Sequence, residues 1–140
     1  MKVIQNSLTP ELFLKIYSSV GWEPPCTEQV KTALAHTVTS FSAYDGALPV
    51  GMVRIIGDSG MSFYLKDFAV VPDYQDKGVG TLLMNSVEAF IRDSIMPGWA
   101  VSLELISTKA AVSFYHRKGF EERPCDWDRP GMFKMIRKEG

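Results

Sequence analysis

Residues that hold metals are scarce in this chain: two cysteines and two histidines occur in 140 residues. Cys26 and Cys125 are widely separated and lie outside any Cys-x-x-Cys pattern. His36 and His116 are not spaced as in His-Glu-x-x-His, so neither a metal centre nor a disulfide framework is expected. No charge of one sign predominates. With 15 basic and 16 acidic side chains the formal net charge is -1, which leaves no broad basic surface and makes nucleic acid an unexpected partner. No apolar run approaches the ~20 residues needed to cross a bilayer, and Met1-Lys2-Val3-Ile4-Gln5-Asn6 lacks the apolar stretch of a secretory signal. No membrane association is therefore expected, and a cytoplasmic location is. Repeats, low-complexity tracts and interdomain linkers are missing too. At 46% hydrophobic and 22% charged residues, the chain is expected to bury one core as a single domain over 1–140.

What is present is a succession of patterns. Thr9-Pro10-Glu11 predicts a helix start, with a hydroxyl cap, proline at the first helical position and an acid in the first turn. Leu12, Phe13, Ile16, Tyr17 and Val20 continue it at helical spacing. Trp22-Glu23-Pro24-Pro25 reads as a rigid connector to a second helix capped at Thr27. From Thr39 the period falls to two, with Phe41 and Ala43, an Asp45-Gly46 turn, then Val50, Met52, Arg54 and Ile56, which together predict a hairpin. Gly57-Asp58-Ser59-Gly60 turns the chain into a third strand over Met61 to Val71. Its continuously apolar end predicts a strand covered on both faces. Beyond a glycine-containing loop, Leu82, Leu83, Val87, Phe90 and Ile91 form the apolar stripe of a helix. Ala100 to Ile106 reads as a strand, Lys109 to Lys118 as a short helix ended by Gly119, and Phe120 onward and Met132 to Ile136 as further strands. A strand, loop, helix, strand order implies a right-handed crossover. The strands ending at Val71 and near Ile106 should thus be parallel within an otherwise antiparallel sheet. The expected class is α/β with a mixed sheet flanked by helices.

The loop Val70-Val71-Pro72-Asp73-Tyr74-Gln75-Asp76-Lys77-Gly78-Val79-Gly80-Thr81 carries the chemistry. Glycines let backbone N–H groups approach a ligand at a helix N-terminus, where the macrodipole favours an anion, so a phosphorylated guest is expected. A nicotinamide fingerprint would need a third glycine where Leu83 stands. A P-loop would need a lysine between Gly80 and Thr81.

What remains, Gln75-x-x-Gly78-x-Gly80 between a Val-Val-Pro strand end and an amphipathic helix, resembles motif A of the Gcn5-related N-acetyltransferases (GNAT). Ala111-Val112-Ser113-Phe114-Tyr115-His116-Arg117-Lys118-Gly119-Phe120 resembles the end of the family's motif B. The likeness covers roughly Phe41 to Phe120. There is a looser similarity, in Val20-Gly21-Trp22 and Pro130-Gly131-Met132-Phe133, to plastid-type arylalkylamine acetyltransferases.

The resemblance implies a GNAT fold whose central parallel strands splay to bind acetyl-coenzyme A (acetyl-CoA), and transfer of its acetyl group to a primary amine. It implies Gln75, Asp76, Lys77, Gly78, Val79, Gly80 and Thr81 for the pyrophosphate and Phe68, Ala69 and Val70 for the pantetheine. Thr108, Ser113 and Tyr115 complete the cofactor set, with Thr108 standing where motif B often has asparagine. Tyr115 matches the tyrosine that protonates the departing thiolate; a packed core tyrosine is the alternative. Asp67 is the first candidate for the base and Glu104, on the neighbouring parallel strand, the second; either could instead be a solvated or ion-paired strand residue. Phe63 to Val70 resembles a polyamine acetyltransferase segment except that Lys66 replaces its glutamate, which argues against a polycationic acceptor. A small-molecule amine is the expected acceptor, with a protein amine or a non-catalytic acyl-CoA-binding module as alternatives. Strand edges near the C-terminus could pair two subunits as a homodimer.

Overall fold

In the computed structural model, which describes residues 1–138, the Thr9 hydroxyl accepts from the Leu12 N–H at 3.2 Å and opens helix α1 (Pro10–Ser19). The expected cap of the second helix falls one residue earlier. Helix α2 runs Thr27–Ala35, so Thr27 is its first helical residue, and Cys26 is an N-cap whose side chain makes no capping bond. A strand not anticipated from the sequence, β1 (Lys2–Gln5), precedes α1 and pairs antiparallel with β2 (Thr39–Asp45). Four residues with only two apolar ones carry too little periodicity to announce themselves; β1 is an edge strand held by its partner's backbone.

The Asp45-Gly46 turn joins β2 to β3 (Leu48–Gly57), and Asp58 turns β3 into β4 (Ser62–Val70). The Asp58 carboxylate accepts from the N–H groups of Gly60, Met61 and Ser62 at 2.8 to 3.0 Å, which draws its pKa down to about 2. Helix α3 (Val79–Ser94) then returns the chain to β5 (Ser102–Glu104), parallel to β4. The sheet order is β1-β2-β3-β4-β5, antiparallel except for its last pair. This is the expected mixed α/β sheet.

Alternation along β3 sorts the layers. A Cβ on Gly51 would point at Val79 and Leu83 of α3, whereas its neighbour Met52 packs with Phe13, Ile16 and Val30 of α1 and α2. Successive residues of a strand face opposite ways, so α3 covers one face and the helical pair the other. Hence β3 is buried on both sides, with Val50, Met52, Val53 and Ile55 all fully enclosed.

The chain divides into two compact units, Met1–Leu105 and Ile106 onward. In the second, a short 3-10 turn (Lys109–Ala111) leads into α4 (Val112–Arg117). The strands expected from Phe120 onward and over Met132 to Ile136 are not formed, and β5 is shorter than Ala100 to Ile106. Among the described residues only an isolated Cys125–Asp128 bridge lies beyond α4, next to an Arg123–Asp128 ion pair. Apolar residues supplied the strand signal, but Pro124 and Pro130 remove backbone donors, and Met132 and Phe133 stand exposed with no ladder partner among the described residues of the second unit.

Candidate functional site

The first unit holds the glycine loop at the end of a strand that leaves its neighbour. Strand β4 pairs with β5 only over Ser62–Ser102, Phe63–Leu103 and Tyr64–Glu104; from Leu65 to Val70 its outer edge runs on without that partner. On the inner edge, Met52 opposes Ala69 and Arg54 opposes Lys66. One residue of β3, Val53, therefore faces two of β4, Asp67 and Phe68, which defines a β-bulge. Asp67 accommodates the extra residue with φ +53°.

After β4 a 3-10 turn (Pro72–Tyr74) swings the chain out, and the Gln75 side-chain amide donates to the Val70 carbonyl at 3.0 Å, tying the loop to the strand end. Asp76 and Gly78 both take left-handed conformations, φ +60° and +85°. Gly78 is the N-cap of α3 and offers no side chain to cap it. The first helical bond is Leu82 N–H to Gly78 C=O, 3.1 Å, so the amides of Gly78, Val79, Gly80 and Thr81 have no intrahelical acceptor. Four open donors at the positive end of a 16-residue helix are a built anion cradle. A Cβ at Gly78 would meet nothing within 4 Å, so it is the backbone conformation that demands glycine here, and the space before it is open to a ligand.

Two supports of this cradle escaped the sequence. Gly51 is buried, and a Cβ there would stand 3.1 Å from methyl carbons of Val79 and Leu83, so its bareness admits the first turn of α3 onto the sheet; a glycine inside a strand was the readable signal. Tyr74 donates its hydroxyl to Asp45 at 2.7 Å, which pushes its pKa up, and its ring lies 5.4 Å beneath the Lys77 ammonium. Lys77 is thereby parked beside the cradle.

The two acid candidates have different surroundings. Asp67 is ion-paired with Arg54 of β3. Glu104 ends β5 at the last β4–β5 pair and accepts from Ser102 Oγ at 3.0 Å. It therefore stands where the two strands part. Arg54 was also missed as a site residue, although a cation inside a buried strand announces that it needs a partner.

In the second unit the motif resolves into a helix cap. Gly119, with φ +90°, follows α4; its N–H donates to the His116 carbonyl at 3.1 Å and the Phe120 N–H donates to the Tyr115 carbonyl at 3.1 Å. This is a Schellman motif, and its accompanying apolar contact is Phe120 against Tyr115, ring centroids 5.6 Å apart. Phe114 flanks Tyr115 at 5.3 Å. The spacing Tyr-x-x-x-Gly-Phe is thus what locks the Tyr115 ring. Burial pushes the Tyr115 phenol up to about 12, so it is a proton donor throughout the neutral range. Thr108 stands at the N-cap position of the preceding 3-10 turn, without a side-chain capping bond, and, like Ser113, is exposed.

A family model described as the acetyltransferase (GNAT) domain matches residues 17–129. A GNAT-family acetyltransferase from Streptococcus pneumoniae TIGR4, SP0256, is 29% identical, with TM-score 0.81 over 98% of each chain. A protein of unknown function from meticillin-resistant Staphylococcus aureus, SA2161, is 28% identical, with TM-score 0.83 over 96% of this chain and 98% of that one. The uncharacterized N-acetyltransferase ycf52 of Porphyra purpurea is 26% identical over 114 residues, 79% of this chain. The chain spans 63% of the length of that relative.

Proposed function

The chain belongs to the GNAT acetyltransferase family, and from that premise we propose that it transfers the acetyl group of acetyl-CoA to a primary amine of a small molecule, by direct attack within a ternary complex. The observation that carries this reading is the uncapped α3 N-terminus at the end of the splayed β4, an anion cradle joined to a strand that β5 leaves beyond Tyr64. The residues fit the cofactor in kind. The amides of Gly78 to Thr81 would hold its pyrophosphate, assisted by Lys77, and the β4 edge over Phe68 to Val70 would receive the amide-bearing pantetheine arm. Bound there, acetyl-CoA supplies an activated thioester.

The chain's own groups then have distinct tasks. A backbone N–H of β4 near the bulge can donate to the thioester oxygen as negative charge develops on it. Glu104, at the point where the strands part, is the acceptor we assign to the ammonium proton of the incoming amine. Asp67, already engaged by Arg54, is not. Tyr115, buried and protonated, is assigned to donate its proton to the departing thiolate. Glu104 takes the first ammonium proton and later releases it to solvent; the second, lost from nitrogen as the tetrahedral intermediate collapses, replaces the one that Tyr115 gave to the thiolate, so each turnover yields amide, free thiol and one proton.

Thiol release from acetyl-CoA across a panel of small primary amines, run beside a thermal-shift titration, tests the reading. Amine-dependent release with stabilisation by acetyl-CoA is the expected result. Stabilisation without turnover would leave a binding module, and the absence of both effects would sink the proposal.

A further inference from the structure

The Arg54–Asp67 pair has no task in the scheme above. Arg54 lies in β3 among Val50, Gly51, Met52, Val53 and Ile55, all buried. Its Nε donates to the Asp67 carboxylate and its Nη1 to Thr37 Oγ1, 3.3 Å away, just beyond α2. The two side chains of the pair are 12% and 13% exposed, shielded enough that the interaction is not the weak, fluctuating kind found at open surfaces. Tyr17 of α1 lies near enough for Asp67 to raise its phenol, after burial as the leading cause, and for Arg54 to oppose the rise.

Asp67 is also the residue whose left-handed backbone makes the bulge. A non-glycine residue in that region persists when its surroundings over-determine it. The bulge falls between Tyr64, where β4 last pairs with β5, and Phe68 to Val70. The geometry points to Arg54 as a positioning residue: by binding Asp67 to β3 and to Thr37 it holds the bulge that aims the Phe68–Val70 backbone, and Asp67 is the anchor of this clamp, not a proton acceptor. The catalytic half of this inference rests on the acetyl-transfer reading; the mechanical half does not.

Two readouts separate them: amide hydrogen exchange at residues 66–70, and kcat and KM for acetyl-CoA with their pH profile. Arg54→Met should speed exchange about tenfold and lower kcat/KM for acetyl-CoA by a similar factor. Asp67→Asn retains an oxygen that accepts from Arg54 and tolerates positive φ but leaves the shielded guanidinium without its counter-charge, so exchange and turnover should fall between those of wild type and Arg54→Met with the pH profile superimposable; Asp67→Ala should behave like Arg54→Met. Should Arg54→Met not fold, because the Asp67 charge is left unpaired, Arg54→Met/Asp67→Asn removes that charge and carries the same expectation. Unchanged exchange in the Arg54 variant overturns the clamp. Asp67→Asn as inactive as Asp67→Ala, with exchange intact, would instead make Asp67 the base. If wild type turns over no amine, acetyl transfer fails, while the exchange rates still decide the clamp.

Discussion

At the scale of single residues, two glycines of the cradle are needed for opposite reasons. Gly51 is short of space: besides the Val79 and Leu83 methyls at 3.1 Å, an added Cβ would meet the Ala69 carbonyl at 3.3 Å. Gly78 has space and needs only its φ of +85°. Gly51→Ala should therefore cost about 1–3 kcal/mol through overpacking and weaken acetyl-CoA binding, because Val79 carries one of the four open amides. Gly78→Ala should cost ~1 kcal/mol of backbone strain. Urea unfolding and calorimetric titration check both; Gly51→Ala with unchanged stability and affinity would show that the close approach does not place the helix. Tyr115 supports a prediction on the chemical step. Tyr115→Phe keeps the ring contacts with Phe114 and Phe120 and removes the proton, so kcat should fall at least about tenfold while acetyl-CoA affinity holds; equal turnover would remove the donor role. Linkage gives the sign with pH. The folded phenol is raised from 10.0 to about 12, so its stabilising contribution is intact below pH 10 and is lost as pH rises towards 12. Alkaline unfolding should be shallower in Tyr115→Phe.

At the scale of elements, legibility followed how local the cause was. The end of α4 was readable because Tyr115, Gly119 and Phe120 form one Schellman motif within six residues, and the φ of +90° at Gly119 leaves glycine as the fitting choice. Gly119→Ala should cost ~1 kcal/mol and loosen the Tyr115 ring, lowering kcat with little effect on KM; equal kcat and stability would mean that the cap does not hold the tyrosine. The start of α1 was readable for the same reason, with Thr9 three residues from the N–H it caps. Strand β1 and the unformed C-terminal strands were not, because a strand exists only where a partner offers its edge. Lys2 to Gln5 has that partner in β2, and nothing within Met132 to Ile136 reveals whether it has one.

At the scale of the whole molecule, the parallel β4–β5 pair and the glycine loop were legible in the sequence, since crossover handedness and helix-terminus chemistry are general. The bulge and the Arg54 clamp were not, because the register between Met52–Ala69 and Arg54–Lys66 is settled jointly by two strands and the layers on both their faces. The cradle itself makes a prediction about global stability. A ligand that binds only the folded chain stabilises it by about 2.7 kcal/mol at one hundred times its Kd, roughly 10 °C in Tm for a chain of this size. The donors at Gly78 to Thr81 face the pyrophosphate in the proposed complex, not the acetyl group. Coenzyme A and acetyl-CoA should therefore raise Tm by similar amounts, and pantetheine, which lacks the pyrophosphate, by much less. Gly80→Asp, which sets a carboxylate among those donors, should abolish the rise with both. A pantetheine shift equal to that of coenzyme A, or a full shift in Gly80→Asp, would mean that the uncapped start of α3 is not where the ligand is held.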